Sequence, residues 1–180
     1  MAKTRLEPLW VKFIADYSDA DIPLPDASLD LILNRHGAYC EEELMCLLKP
    51  GVIFLTKQVG GHNDIRLNEL IQDEVEFMVS CWTKDLISRQ LKDAGVELLT
   101  VKEKFPPAES RDIGAVVFHL CDISWQIKDF NINKYHDKLY RIHQKILTNC
   151  PLQLHEHSIL VEARNPLENI IQISGIQYHD

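Results

Sequence analysis

Three polar residues in a row, Asn34, Arg35 and His36, follow the apolar run "LDLIL". Such a run ends like a buried parallel strand, and ligands of open α/β sheets bind outside the carboxyl ends of the strands. An imidazole there is suited to proton transfer because it titrates near neutral pH; the competing reading of His36 is a loop or helix-capping histidine. Gln58, Gly60 and Gly61 close the next apolar run, "VIFLTKQVGG". They either line a substrate pocket or shape a turn. Tyr39 and Trp125 offer rings that stack on a ligand or pack in the core. "HEH" at His155 to His157 puts two imidazoles on one face of a strand, and His136 and His143 fall on one helix. A metal would need a third ligand brought in by folding, so no metal site is expected.

The elements that must position these residues alternate. The opening "AKTRLEPL" reads as the end of a helix stopped by Pro8, and Trp10 to Ala15 as a strand. "LDLILN" reads as a strand buried on both faces, "EEELMCLLK" as a helix with acids in its first turn and Lys49 in its last, and "VIFLTKQV" as a second apolar, β-branched strand. Further helices are expected over "DIRLNELIQDEV" and over "TKDLISRQLKDAGV", capped by Thr83 or Asp85 and closed by Gly95. "VELLTVKEKF" alternates charges late, as an edge strand does. "DIGAVVFHLCDISWQI" carries helical spacing with β-branched content and is read as a helix. "NKYHDKLYRIHQKILTN" is amphipathic, and "SILVEAR" is a last strand. This is the grammar of an α/β sheet in one domain over residues 1–180.

Composition narrows the function. The 180 residues are 46% hydrophobic and 26% charged, enough for one well-formed core. A formal net charge of -8 disfavours nucleic acid and anionic membranes as partners. Five scattered cysteines without a C-x-x-C pair point to reduced thiols and a cytoplasmic location. Neither a signal peptide nor an apolar run of about 18 residues is evident.

The stretch "SDADIPLPDASLDLILNRHGAY", a helix, then "LLKPGVIFLTKQVGG" resembles the second half of a class I S-adenosylmethionine-dependent methyltransferase, in order and spacing across residues 16–61. "LNRHGAY", "QVGG" and "WQI" are also similar to a bacterial group of small-molecule or uncharacterised methyltransferases whose substrate is often unassigned. The resemblance implies a partial Rossmann-like fold, a mostly parallel sheet with an antiparallel last strand inserted beside the edge. It implies S-adenosylmethionine as cofactor, with Asp19 and Ala20 at the adenine and Asn34 and Arg35 beside them. It implies a small-molecule acceptor near Tyr39, Gln58, Gly60 and Trp125, with His36 as the base. Methyl transfer asks little of side chains, since the sulfonium is already activated and alignment does most of the work.

The family's glycine-rich G-x-G-x-G loop and ribose-binding acid have no counterpart in these residues. Only glycines let a backbone approach that cofactor closely. The expectation is a chain whose first two strand-helix units are missing, about 60 residues at ~30 per unit, with weak or absent cofactor binding on its own. The absent strands would lie between the strand at Trp10 to Ala15 and the one at Leu29 to Leu33. A bared edge then predicts a homodimer, a strand-swapped oligomer or a separate N-terminal piece. The alternative function is a non-catalytic, self-associating or partner-binding module derived from such an enzyme.

Overall fold

A computed structural model of the chain describes residues 2–15, 18–76 and 80–167. Helix α1 (Ala2–Leu6) runs into a 3-10 turn at Glu7–Leu9, as Pro8 requires. The expected strand from Trp10 to Ala15 does not form. Trp10 takes a left-handed φ of 61° and is 99% exposed, and Val11 and Phe13 are exposed beside it. Alternation alone makes no strand: backbone N–H and C=O groups need a neighbouring strand, and among the described residues none lies alongside.

Four strands form the central sheet. β1 (Leu29–Arg35) pairs in parallel with β2 (Leu48–Val59), joined through α2 (Glu41–Leu47). β6 (Ser158–Arg164) lies antiparallel between β2 and β3 (Glu97–Lys104), giving the order β1-β2-β6-β3. The sheet is therefore parallel apart from its last strand, and β3 is an edge as its charges predict. Helix α4 (Lys84–Asp93) precedes β3, with Thr83 Oγ1 accepting from the Leu86 N–H and Gly95, at φ 85°, ending it.

One face of the sheet is covered and the other is not. Leu44 of α2 and Ile87 and Leu91 of α4 pack on Phe54, Ile159 and Val161. Both helices use that face, so the expectation that β1 is buried on both sides is overturned: Leu31 is 49% and Leu33 68% exposed on the opposite side. Apolar composition reports that a residue can be covered, not that a cover is present.

Two segments rise from the end of the sheet where β2 and β3 finish and β6 begins. The first carries α3 (Ile65–Ile71). The second carries β4 (Pro107–Ser110), α5 (Ile113–Asp122), α6 (Ile132–Leu147) and β5 (Leu152–His155). β4 and β5 pair as a separate two-stranded ribbon. Leu67, Ile71, Val116, Leu120, Ile127 and Ile142 make a second core, so this cap has its own hydrophobic interior. The ambiguous stretch at Ile113 resolves as a helix because Val116 and Leu120, one turn apart, enter that core and Asp112 caps the Gly114 N–H.

Candidate functional site

The carboxyl ends of β1 and β2 are tied by a knot of buried amides. Asn34 pairs with Thr56 in register, and its Oδ1 accepts from Thr56 Oγ1 at 3.1 Å and from Gln58 Nε2 at 2.8 Å. Gln58 Nε2 also donates to the Gly37 carbonyl at 3.1 Å, and Gln58 is 6% exposed. This knot seats the loop that follows β1. His36 then turns through a left-handed φ of 60°, its N–H donating to the Lys57 carbonyl, and its imidazole lies exposed above the strand end. Arg35 is exposed too, but strand alternation sends it to the face opposite Asn34. The two residues expected to act together at the cofactor thus stand on different sides of the sheet.

Asp19 and Ala20 lie exposed in a tight turn closed by the Ser18–Asp21 bridge. The Ala20 N–H donates to Ser18 Oγ at 3.2 Å. The Ile22 N–H donates to Glu43 Oε1 in the first turn of α2, which sets this turn at the same end of the sheet as His36. Tyr39 packs edge-on against Phe54, with centroids 5.2 Å apart. Burial, with Glu41 adding to it, pushes the Tyr39 phenol well above its ordinary range, so the ring serves as a neutral packing group.

Beyond β2 the backbone enters the seam between sheet and cap. Gly60 is the seat of a buried imidazole: a Cβ built there would clash with the ring of His157, which is 1% exposed. His157 Nδ1 accepts from the His62 N–H at 3.1 Å, which leaves the proton on Nε2, 3.0 Å from Glu103 Oε1. Phe105 and His62 stack near the ring at 4.4 and 5.5 Å. Burial alone would raise Glu103, but its bonds to His157 and the Lys84 N–H and the charge of Lys84 carry it below the usual carboxylate range. "HEH" is accordingly divided, with His155 exposed and His157 enclosed, and among the described residues no three His, Cys, Asp or Glu side chains are placed to hold a metal ion.

The rest of the seam is polar, and sequence reasoning missed it. Gln126 Nε2 donates to the Asn63 carbonyl and to Asn68 Oδ1, while Asn68 Nδ2 donates to the Gln126 carbonyl at 2.7 Å. Trp125, adjacent to this clasp, is 54% exposed. Asp64 is 8% exposed at a left-handed φ of 51°, accepts from Asn63 Nδ2 at 2.9 Å and faces His119 Nε2 at 3.5 Å. Burial holds the Asp64 carboxyl above its ordinary range, with Glu156 adding to it and His119 and Asn63 opposing. The run "GGHND" at a strand end was the available signal for Asp64; His119 and Gln126 come from distant segments and carried none. A hollow of about 220 Å³ between α3 and α6, lined by Leu70, Ile142, Ile146 and Leu152 among others, includes no residue expected to act.

The five cysteines are all unpaired, and among the described residues no helix is long and apolar enough to cross a membrane. No protein-family model and no curated protein matches the chain. Solved structures do. A crystallised protein of Bacillus halodurans C-125 assigned as a methyltransferase superposes over 92% of this chain and 77% of its own, with a TM-score of 0.58 and 16% identity. The YcgJ protein of Bacillus subtilis gives 0.56 at 12% identity, over 92% and 76% of the two chains. The [4+2]-cyclase SpnF gives 0.50 at 14% identity, over 92% of this chain and 61% of its own. With the β1-β2-β6-β3 order and its single antiparallel strand, these likenesses establish that the chain has the class I S-adenosylmethionine-dependent methyltransferase fold, in a partial Rossmann-like form.

Proposed function

We propose that this chain is the sheet-and-cap part of an S-adenosylmethionine-dependent methyltransferase acting on a small-molecule acceptor. The observation that carries this reading is the cap, which rises from the strand ends where ligands of open α/β sheets bind and forms a polar seam there. The acceptor would enter that seam beside the His36 loop, with exposed Trp125 the ring free to stack on it. Of the other residues expected at the acceptor, Tyr39, Gln58 and Gly60 already pack or bond within the protein, and they would shape the site rather than grip the ligand. His36 stands as a candidate base at the end of β1. The cytoplasm, a reducing compartment, suits five unpaired thiols.

The cofactor is a poorer match to the described residues. The Asp19 turn and the His36 loop offer polar groups on one side of the β1 end, but among the described residues the outer edge of β1 has no neighbouring strand, and the sequence supplies neither glycine loop nor ribose acid. One wall of a nucleoside site binds weakly, so we assign no step of methyl transfer to this chain alone. Calorimetric titration with S-adenosylmethionine and S-adenosylhomocysteine, with solution mass measured in the same buffer, tests the reading. Micromolar binding in an oligomer would mean the missing wall is rebuilt between copies; an absence of binding in every oligomeric state would remove the cofactor from the proposal.

A second reading, a self-associating module without catalysis, is favoured by the bare face of β1. Leu33→Lys leaves the covered face untouched and should change stability by no more than about 0.5 kcal/mol. If copies meet through β1, sedimentation will show that the variant dissociates. An unchanged mass would count against self-association through this face.

A further inference from the structure

We propose that His119 and Asp64 form an imidazole–carboxylate pair that accepts a proton from a hydroxylated acceptor, a phenol or alcohol, bound at the seam. The proposal rests on the reading of that seam as the acceptor site. Asp64 occupies the position before the first turn of α3, where an aspartate ordinarily accepts a backbone N–H, an interaction worth about 1 kcal/mol. It makes no such bond. The carboxylate turns instead toward Asn63 Nδ2 and His119 Nε2, on a backbone whose left-handed φ is unfavourable for a residue with a side chain.

Three features of this carboxylate run against stability. It is nearly buried, no lysine or arginine is paired with it among the described ion pairs, and Glu156 at the joint between β5 and β6 repels it. Groups kept in such settings concentrate at functional sites. His119 completes the arrangement. Its Nε2 is buried with no hydrogen-bond partner, facing Asp64 at a distance too long for a formed bond, while about a third of the side chain remains exposed. Among the described residues no group bonds Nδ1, and it is not one of the buried unpartnered atoms. A carboxylate behind one ring nitrogen favours the tautomer with the proton on that nitrogen and leaves the lone pair of the other outward. Bonds of this kind are often long without a ligand and tighten when charge arrives.

The chemical step is a proton transfer. The O–H bond of the acceptor breaks, its electron pair stays on oxygen, and the proton goes to His119 Nδ1. The resulting imidazolium keeps its Nε2 proton facing the Asp64 carboxylate. His36, by contrast, is exposed and has no carboxylate partner among the described ion pairs. Within the cap, His119 is the better equipped base.

4-Nitrophenol makes the step visible, because its phenolate absorbs where the phenol does not. The full chain is mixed with it at a pH where the free compound is mostly protonated, with binding measured separately by equilibrium dialysis. The expected result is saturable binding with a phenolate fraction about fivefold above that of the free compound. His119→Gln should return that fraction to the free value, and Asp64→Asn should give an intermediate one. Nitrogen NMR of the imidazoles should show the His119 proton on Nε2 in the wild type and a mixture of tautomers in Asp64→Asn. If His119→Gln fails to fold, the near-isosteric Asp64→Asn carries both comparisons. Binding without extra phenolate, or phenolate unchanged in the variants, refutes the pair and leaves the acceptor site standing. Absence of binding refutes the acceptor site itself.

Discussion

Gly60→Ala should be among the most damaging single substitutions in the protein, although it adds one methyl group. The new Cβ would occupy space now held by the His157 ring. That ring has no easy retreat, since Glu103 and the His62 N–H hold its two nitrogens and Phe105 and His62 flank its plane. If the ring stays, overpacking costs about 1–3 kcal/mol. If it leaves, it forfeits a neutral hydrogen bond worth about 1 kcal/mol and a charged one worth roughly 1.5–3 kcal/mol, and Glu103 loses a partner. The two routes bracket a loss of about 1–4 kcal/mol. For a chain of this size that lowers the melting temperature by roughly 2–16 °C. Urea unfolding of Gly60→Ala, His157→Ala and the double variant measures it. Once the imidazole is gone the added methyl meets no ring, so Gly60→Ala in the His157→Ala background should cost less than about 1 kcal/mol. A single variant within 1 kcal/mol of wild type, or two additive losses, would refute the packing argument.

Two further substitutions probe the seam and the strand ends. The Asp64 carboxyl binds its proton more tightly in the folded protein than in the unfolded chain, so its penalty is fully present above the folded pKa and fades as pH falls toward the ordinary value of 3.8. Asp64→Asn should therefore be more stable than wild type at pH 7, with the gain vanishing in acid; a pH-independent difference in urea midpoints would contradict this. Gln58→Ala removes the donor to Asn34, Gly37 and Thr56 and should cost about 2–3 kcal/mol. It should also speed amide exchange in the loop over residues 36–39, and a loop as protected as in wild type would show that the amide knot does not hold it.

Period and punctuation carried most of the fold. The strands at Leu29, Val52 and Ser158 were legible because each is a short apolar run bounded by polar or turn residues, and α4 and α6 because apolar residues recur with the helical period between clear caps. Trp10 to Ala15 carried the same local signal without a partner strand, and local pattern cannot supply one. The ribbon of β4 and β5 was illegible for the opposite reason: "PAES" and "LQLH" are too short to announce themselves, and their pairing spans the whole of α5 and α6. For the candidate site, the sequence put Asn34, His36 and Gln58 at the carboxyl ends of β1 and β2, which is where they lie. It did not show that Arg35 faces away or that Gly60 belongs to His157. The Asp64 and His119 pair joins a loop after β2 to a helix after β4, and only tertiary structure brings those segments together.

The position of β6 also governs when this protein can fold. β2 and β3 touch only through it, and its residues are the last of the sheet to leave the ribosome. Until Ser158 to Arg164 emerge, the sheet exists as two unlinked parts, the β1–β2 pair and a solitary β3, each with a backbone edge ready to accept a strand. Contacts that wait on so distant a segment slow folding and lengthen the time such edges stay open to other chains. Synthesis therefore includes an interval in which the inner edges of β2 and β3 stand open, and the pairing of one short strand closes both while leaving the outer edge of β1 as it was.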